Sequence, residues 1–484
     1  MTLEKRRPTL IYAFIPIAIL IALLTVNVIV LGQGAITGPN QIALLLAASV
    51  AGIISFRLGY SWDEIEASII KSISSAMGAM LILLVIGSLS GTWLLSGIVP
   101  AMIYYGLKIL NPTIFLFAAC VVCSVVSLAT GSSWSTVATV GIALLGIGKT
   151  LDIHEGVIAG AIISGAYFGD KMSPLSDTTN LAPAMAGTDL FTHVKYMVYT
   201  TVPTLTITLI IFLIWGFTLN TTGTTPDTQS VLLAIESKFN LNPLLFVVPV
   251  LVIAMIVRKV PALPALMVGA LLGGIFAVIF QPQIIDQVSG ISGDFVKSSF
   301  IAVMRAMTTT INIQTDNAMI SELLTARGMS GMLNTIWLIL CAMIFGGVME
   351  SSGLLHRIAE EIIRFARNTG SLVASTAATC LFFNITASDQ YMAIAVPGRM
   401  FASTYRERGY KPELLSRTLE DSGTVTSVLV PWNTCGATQA NVLGVATMVY
   451  APYCFFCIIS PLMTVLQAYL NYKIRRFSDD EKPA

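Results

Sequence analysis

The sequence predicts an all-α polytopic membrane protein on three observations: its composition, the length of its apolar runs, and the carboxylates set inside those runs. Of its 484 residues, 55% are hydrophobic and 11% are charged, whereas soluble domains carry about 25% charged residues. Too little charge is available to wet a surface, and the mean hydropathy of +0.80 agrees. Crossing a bilayer takes a helix of roughly 20 apolar residues, and positions 10–31 and 198–220 hold no charged side chain at all. Lipid offers the backbone no hydrogen bonds, so runs of this length are helices. Nothing alternates over the roughly 10-residue segments of a membrane β-barrel.

The first apolar run is too long for a signal-peptide core and reads as a retained helix. Seven cysteines lie mainly in apolar runs, where they serve as small hydrophobes, with no disulfide expected. A net charge of +1 gives no reason to expect a nucleic-acid partner. Without a phosphate-binding lysine loop or dinucleotide fingerprint, no nucleotide is expected either, and gradients must drive any pumping. His154, His193 and His356 have no acidic or cysteine neighbour at metal-ligand spacing, so neither a cofactor nor a transition-metal site is expected.

Spans are expected near 10–31, 40–57, 76–96, 113–130, 132–148, 156–175, 196–219, 242–257, 262–280, 294–311, 331–350, 371–388, 390–403, 413–431 and 441–471. Some are short or polar, so about 11–14 spanning or re-entrant elements are expected. A polar linker at 220–241 separates a first membrane repeat, 1–219, from a second, 242–472, and a cytoplasmic tail follows at 473–484. An ungapped offset of 256 residues lays Gly91 on Gly347, Gly97 on Gly353, Thr130 on Thr386 and Ser132 on Ser388. It also lays Ser176–Thr179 on Trp432–Cys435.

Cytoplasmic loops concentrate Lys and Arg. Arg357, Arg364 and Arg367 follow Gly353, whereas Lys108 alone follows Gly97. Equivalent loops therefore face opposite ways, which makes the repeats inverted. Lys5, Arg6 and Arg7 put the N-terminus in the cytoplasm, and Lys473, Arg475 and Arg476 put the C-terminus there. Arg258 and Lys259 fit only if one more crossing is counted.

An ionisable residue inside a span is a functional candidate by default. In 169–182, Pro174 interrupts the helix among Asp170, Lys171, Asp177, Thr178, Thr179 and Asn180. This reads as a helix unwound at membrane depth, with oxygens free to hold a small cation. Its counterpart, 419–437, carries Asp421, Pro431, Asn433 and Thr434. Two re-entrant hairpins are expected near 113–148 and 371–403, with polar tips at Thr130–Thr136 and Asn384–Tyr391. The first tip holds Ser132 and Ser133, and the second holds Ser388 and Asp389. Glu350 is a secondary candidate, while Asp316 and Glu322 are weaker and read as partners of nearby arginines. The stretch Leu354–Arg367 has apolar residues at helical spacing and reads as an interfacial amphipathic helix.

The motifs at Gly169–Ala182, Ser388–Tyr391 and Leu419–Gly436, with the hairpin Thr130–Thr139, resemble the NhaC family of sodium–proton antiporters along essentially the whole chain. That resemblance implies inverted repeats with two hairpins and two discontinuous helices, divided into scaffold and transport units that move as an elevator. It also implies a homodimer in the cytoplasmic membrane of a bacterium or archaeon. A related branch resembles a malate–lactate antiporter coupled to the same ions. An organic acid would need a cation beside the site, and Lys171 or Arg399 could supply it, although Lys171 would otherwise pair with Asp170. An ion channel and a membrane enzyme are more distant readings.

Burial at midplane disfavours the charged form of a carboxylate, so one acid can take a proton or a sodium ion in turn. Moving it empty costs at least about 3 kcal/mol. Sodium is expected on Asp177, Asp389, Thr178, Ser133, Ser388, Asn433 and Thr434, with proton coupling through Asp170 and Asp421. Ser132 and Asn180 complete the secondary set. Sodium and protons would be the transported ions.

Overall fold

The computed structural model describes residues 5–31, 37–109, 112–219, 228–315, 321 and 324–477. Asp316 and Glu322, part of the linker and the end of the tail lie outside the described residues.

Leu10–Leu31 (α1) and Pro39–Arg57 (α2) form an antiparallel pair leading into Trp62–Leu95 (α3). The third span, expected at 76–96, begins much earlier. Ser61 accepts from the Glu64 N–H at 3.3 Å while Glu64 reaches back to the Ser61 N–H at 3.0 Å. This reciprocal cap fixes a start that apolar periodicity cannot reveal. After Ile98–Ile109 (α4), Phe115–Thr130 (α5) runs to a sharp turn at Gly131. Gly131 has φ +70° and packs on the Leu175 backbone, where a side chain would both strain and collide. Ser133–Thr136 (α6), a π-helical turn at Val137–Gly141 and Ile142–Thr150 (α7) form the return arm of this first hairpin.

Glu155–Met172 (α8) packs along α5. Gly165 and Gly169 let the two backbones approach, since a Cβ at either would strike α5 main-chain atoms. The helix stops at Ser173–Ser176 and resumes as Asp177–Ala186 (α9), before the long Leu190–Leu219 (α10). Thr228–Lys238 (α11) occupies much of the polar interval, and Val247–Val257 (α12) and Ala262–Phe280 (α13) return the chain to α3. Pro282–Ser289 (α14) and Phe295–Thr308 (α15) follow, with a two-stranded antiparallel ribbon pairing Ile311 with Ala326 and Asn312 with Thr325.

Leu333–Ser351 (α16) packs between α2 and α3, and the amphipathic Leu354–Ile363 (α17) buries Leu354, Leu355 and Ile358. Thr369–Thr386 (α18) and Gln390–Glu407 (α19) make a second helix–turn–helix with its turn at Ser388. Pro412–Leu419 (α20) runs into a π-helical segment, Glu420–Thr424, then breaks before Thr434–Leu443 (α21). Thr447–Tyr450 (α22) and Phe455–Tyr469 (α23) close the chain. Helix starts recur at the 256-residue offset: Ile98 and Leu354, Glu155 and Pro412, Asp177 and Thr434, each within one residue.

Among the described residues, seven helices are long and apolar enough to cross a membrane, or nine if two bent pairs each count as one span. Other expected spans, including α8 and the first arm of the second hairpin, are largely shielded inside the protein and rich in small and hydroxyl residues. Ile11, Ile29, Ile214, Phe217, Ile275 and Ile279 are exposed on the outer helices, the apolar surface that an integral membrane protein presents to lipid. The buried apolar side chains gather into a large cluster around α3, α5, α8 and α13, a second around α1, α2 and α16, and a smaller one joining α9 to α18, α19 and α20.

Candidate functional site

Each hairpin tip meets the interrupted helix that follows it. Ser133, at the first tip, donates to Asp170 Oδ2 through its hydroxyl at 2.6 Å and its backbone N–H at 3.2 Å. Ser176, in the break, donates to the other oxygen of Asp170 at 2.5 Å. Asn180 donates to the carbonyls of Pro174 at 2.9 Å and Ser176 at 2.7 Å, tying the break together. At the second tip, the Thr434 N–H donates to the Ser388 carbonyl at 3.0 Å and the Trp432 indole to the Ile385 carbonyl at 2.7 Å. Asn433 caps α21 by accepting from the Cys435 N–H at 3.0 Å, and its amide donates to the Asn384 carbonyl at 3.0 Å.

Between these contacts lies a cavity of about 720 Å³. Asp170, Asp177 and Asp389 line it together with Ser132, Thr178 and Thr434, and Lys259 stands in its wall. Asp389 is 1% exposed and caps α19, accepting from the Met392 N–H at 2.9 Å. Asp177, the first residue of α9, is open to the cavity. The Thr178 hydroxyl is turned away, donating to Glu420 at 3.0 Å.

The sequence-predicted residues thus separate. Asp170, Asp177, Asp389, Ser132, Thr178 and Thr434 share the cavity wall, and Ser133 acts on it through Asp170. Ser388 sits at the tip in a left-handed conformation, φ +59°, with a buried hydroxyl that has no hydrogen-bond partner among the described residues. Glu350, at the end of α16, is half-buried outside the cavity lining.

One expected pairing is corrected, and two further candidates lie away from the cavity. Lys171 pairs with Asp421, not Asp170. Adjacent helical residues do not face one another, so Asp170 turns to the hairpin while Lys171 turns to α20 and α23. Lys171 also donates to Ser460 at 3.0 Å and sits over the Phe456 ring. Asp421, expected as a proton carrier, accepts from Thr200 at 3.2 Å, faces Arg417 at 3.9 Å, and does not line the cavity. Arg399 is exposed on α19 and bonds the Ala395 carbonyl, leaving no cation there for the cavity.

Sequence reasoning also passed over Glu420 and Arg417, both 0% exposed. Their place in the same polar run as Asp421 was visible, but which face of the helix each occupies was not.

A lipid-facing helical shell around an acid-lined cavity fits a membrane transporter of small solutes, and the acidic lining suits cations. The chain belongs to the Na+/H+ antiporter family: a profile of that family matches residues 165–472. It is of the NhaC type. It is 34% identical over 467 residues to the Na(+)/H(+) antiporter NhaC of Alkalihalophilus pseudofirmus, covering 96% of this chain and 97% of that protein. It is equally 34% identical over 470 residues to the malate-2H(+)/Na(+)-lactate antiporter of Bacillus subtilis, covering 96% of each. The arginine/ornithine antiporter ArcD of Halobacterium salinarum is 32% identical over 483 residues, 99% of this chain and 96% of that protein. These relatives are transporters and not enzymes.

Proposed function

We propose that the chain exchanges sodium ions for protons across the plasma membrane, at the cavity between the two hairpin tips and the two interrupted helices. The observation that carries this reading is the lining: three aspartates with Lys259 as the one cationic side chain among the described residues that form it. Asp177 and Asp389, with Thr434 and the Ser388 hydroxyl, would hold sodium. Asp170 would take the proton, since Ser133 and Ser176 already position it beside the cavity. Carboxylates and hydroxyls are the hard oxygen donors that a small cation needs.

Inverted repeats are part of the reading, supported by the recurrence of helix starts at the 256-residue offset and by the opposed loop charges. On that reading both termini are cytoplasmic, and the hairpins with their interrupted helices move as a transport unit against a scaffold built on α1, α2, α3 and α16, in a homodimer.

Exchange of malate for lactate is the second reading, carried by the Bacillus subtilis relative. The three aspartates of the lining disfavour an organic anion, and Lys259 is the one cation among the described residues left to hold it, since Lys171 is committed to Asp421 and Arg399 does not line the cavity. The test is sodium-jump proton flux in proteoliposomes, with and without malate and lactate. Sodium alone should drive proton movement, and Asp389→Asn and Asp177→Asn should each abolish it. Flux that appears only with an organic acid present, or that survives both substitutions, would overturn the proposal.

A further inference from the structure

Behind the cavity wall, the chain buries a carboxylate that the exchange scheme above does not use. Glu420 is 0% exposed, and no Lys, Arg or His nitrogen lies within 4 Å of it among the described residues. The neighbouring cations belong to Asp421: Lys171 pairs with one of its oxygens, and Arg417 stands 3.9 Å from the other. One oxygen of Glu420 accepts from Thr178; the other has no hydrogen-bond partner among the described residues. An ionised carboxylate left in this condition is strongly disfavoured unless a positive charge accompanies it.

Its surroundings are unusual in the same respect. Glu420 opens the π-helical segment Glu420–Thr424, and the buried Ser422 and Thr424 hydroxyls also lack hydrogen-bond partners of good geometry among the described residues. Thr424 lies beside the Glu420 carboxyl group. π-Helical turns are rare and recur at functional sites. A run of oxygens leads to this place from the cavity: Asp170 to Ser176 at 2.5 Å, Ser176 to Thr178 at 3.1 Å, and Thr178 to Glu420 at 3.0 Å. Thr178 lines the cavity and Glu420 does not.

We propose that Glu420, with Thr178 and Thr424, forms a second, occluded position for a dehydrated monovalent cation, reached from the cavity through Thr178. A proton on Glu420 could be donated to the neighbouring Thr424 hydroxyl, whereas a cation would be shared by the carboxylate and both threonine hydroxyls. The inference rests on the cation-exchange reading and extends it, because the chain would then hold two sodium ions rather than one.

The test is equilibrium binding of radioactive sodium to the purified full-length protein. Wild type is expected to bind about two sodium ions per chain, and Glu420→Gln about one. Thr178→Val should weaken the second position by roughly tenfold or more, and Thr178→Ser should restore it. If wild type binds no sodium, the cation-exchange reading itself fails. If wild type binds a single ion, or Glu420→Gln still binds two, the occluded position is refuted while the exchange reading stands. Should Glu420→Gln fail to fold, the threonine pair decides: a Thr178→Val curve identical to wild type refutes the proposal.

Discussion

Removing the charge of Lys171 tests whether Asp421 acts as its structural partner or as a proton carrier. Lys171 and Asp421 are both 0% exposed, and their ion pair lies in the middle of the packing between α8, α20 and α23. Lys171→Met keeps most of the volume but leaves Asp421 with the Thr200 hydroxyl at 3.2 Å, Ser460 at 3.3 Å and Arg417 at 3.9 Å. Breaking a buried pair from one side costs about 3–5 kcal/mol, because a buried charge is left uncompensated. Arg417 remains close enough to hold the loss near the lower end. Replacing both partners, as in Lys171→Met with Asp421→Leu, removes the stranded charge and should recover most of that stability. Thermal unfolding followed by tryptophan fluorescence in detergent measures all four members of the cycle. Sodium-driven proton flux of the double variant is the second readout. A single variant as stable as wild type, or a double variant no better than the single, would refute the electrostatic argument. A folded double variant with no exchange would return Asp421 to the coupling role.

Other predictions follow from single contacts. Gly165→Val puts a side chain into the α5 backbone at Cys120, and should cost about 1–3 kcal/mol or more through overpacking, seen as lost monodisperse protein on size exclusion. Ser388→Gly relieves a left-handed serine, worth on the order of 1 kcal/mol, but removes a hydroxyl at the hairpin tip. It should raise thermal stability while weakening sodium binding, and equal binding would remove Ser388 from the sodium shell. Arg399→Ala should leave exchange within about twofold of wild type, as expected for an exposed surface substitution. A large loss would mean that this arginine reaches the substrate in another state.

The membrane class was legible from composition and run length, because lipid leaves the backbone few alternatives. The polar breaks were legible too: proline with clustered hydroxyls marked Ser173–Ser176, and the stretch before Thr434 was marked by Pro431 and Asn433. Turn chemistry is local, so a linear sequence carries it. The start of α3 was missed because its first turns are polar and only the Ser61–Glu64 cap announces it. The number of spans was also less clear than apolar runs suggested. A helix shielded by other helices needs no lipid-facing stripe, and α8 could be built from glycine, alanine and serine.

Sequence by itself determined that this protein lives in a bilayer, interrupts two of its helices, and places acids near those breaks. Which acid meets the cavity and which meets a counter-charge was decided only by the tertiary structure. Asp170 and Lys171 are neighbours in the chain, yet one is turned to the first hairpin tip and the other to α20. Glu420 and Asp421 diverge in the same way, one toward Thr178 and the other toward Lys171. Successive helical residues point about 100° apart, so adjacency in sequence fixes that two such side chains part company. It does not fix which meets the cavity and which meets a counter-charge; that depends on the elements that pack on each face.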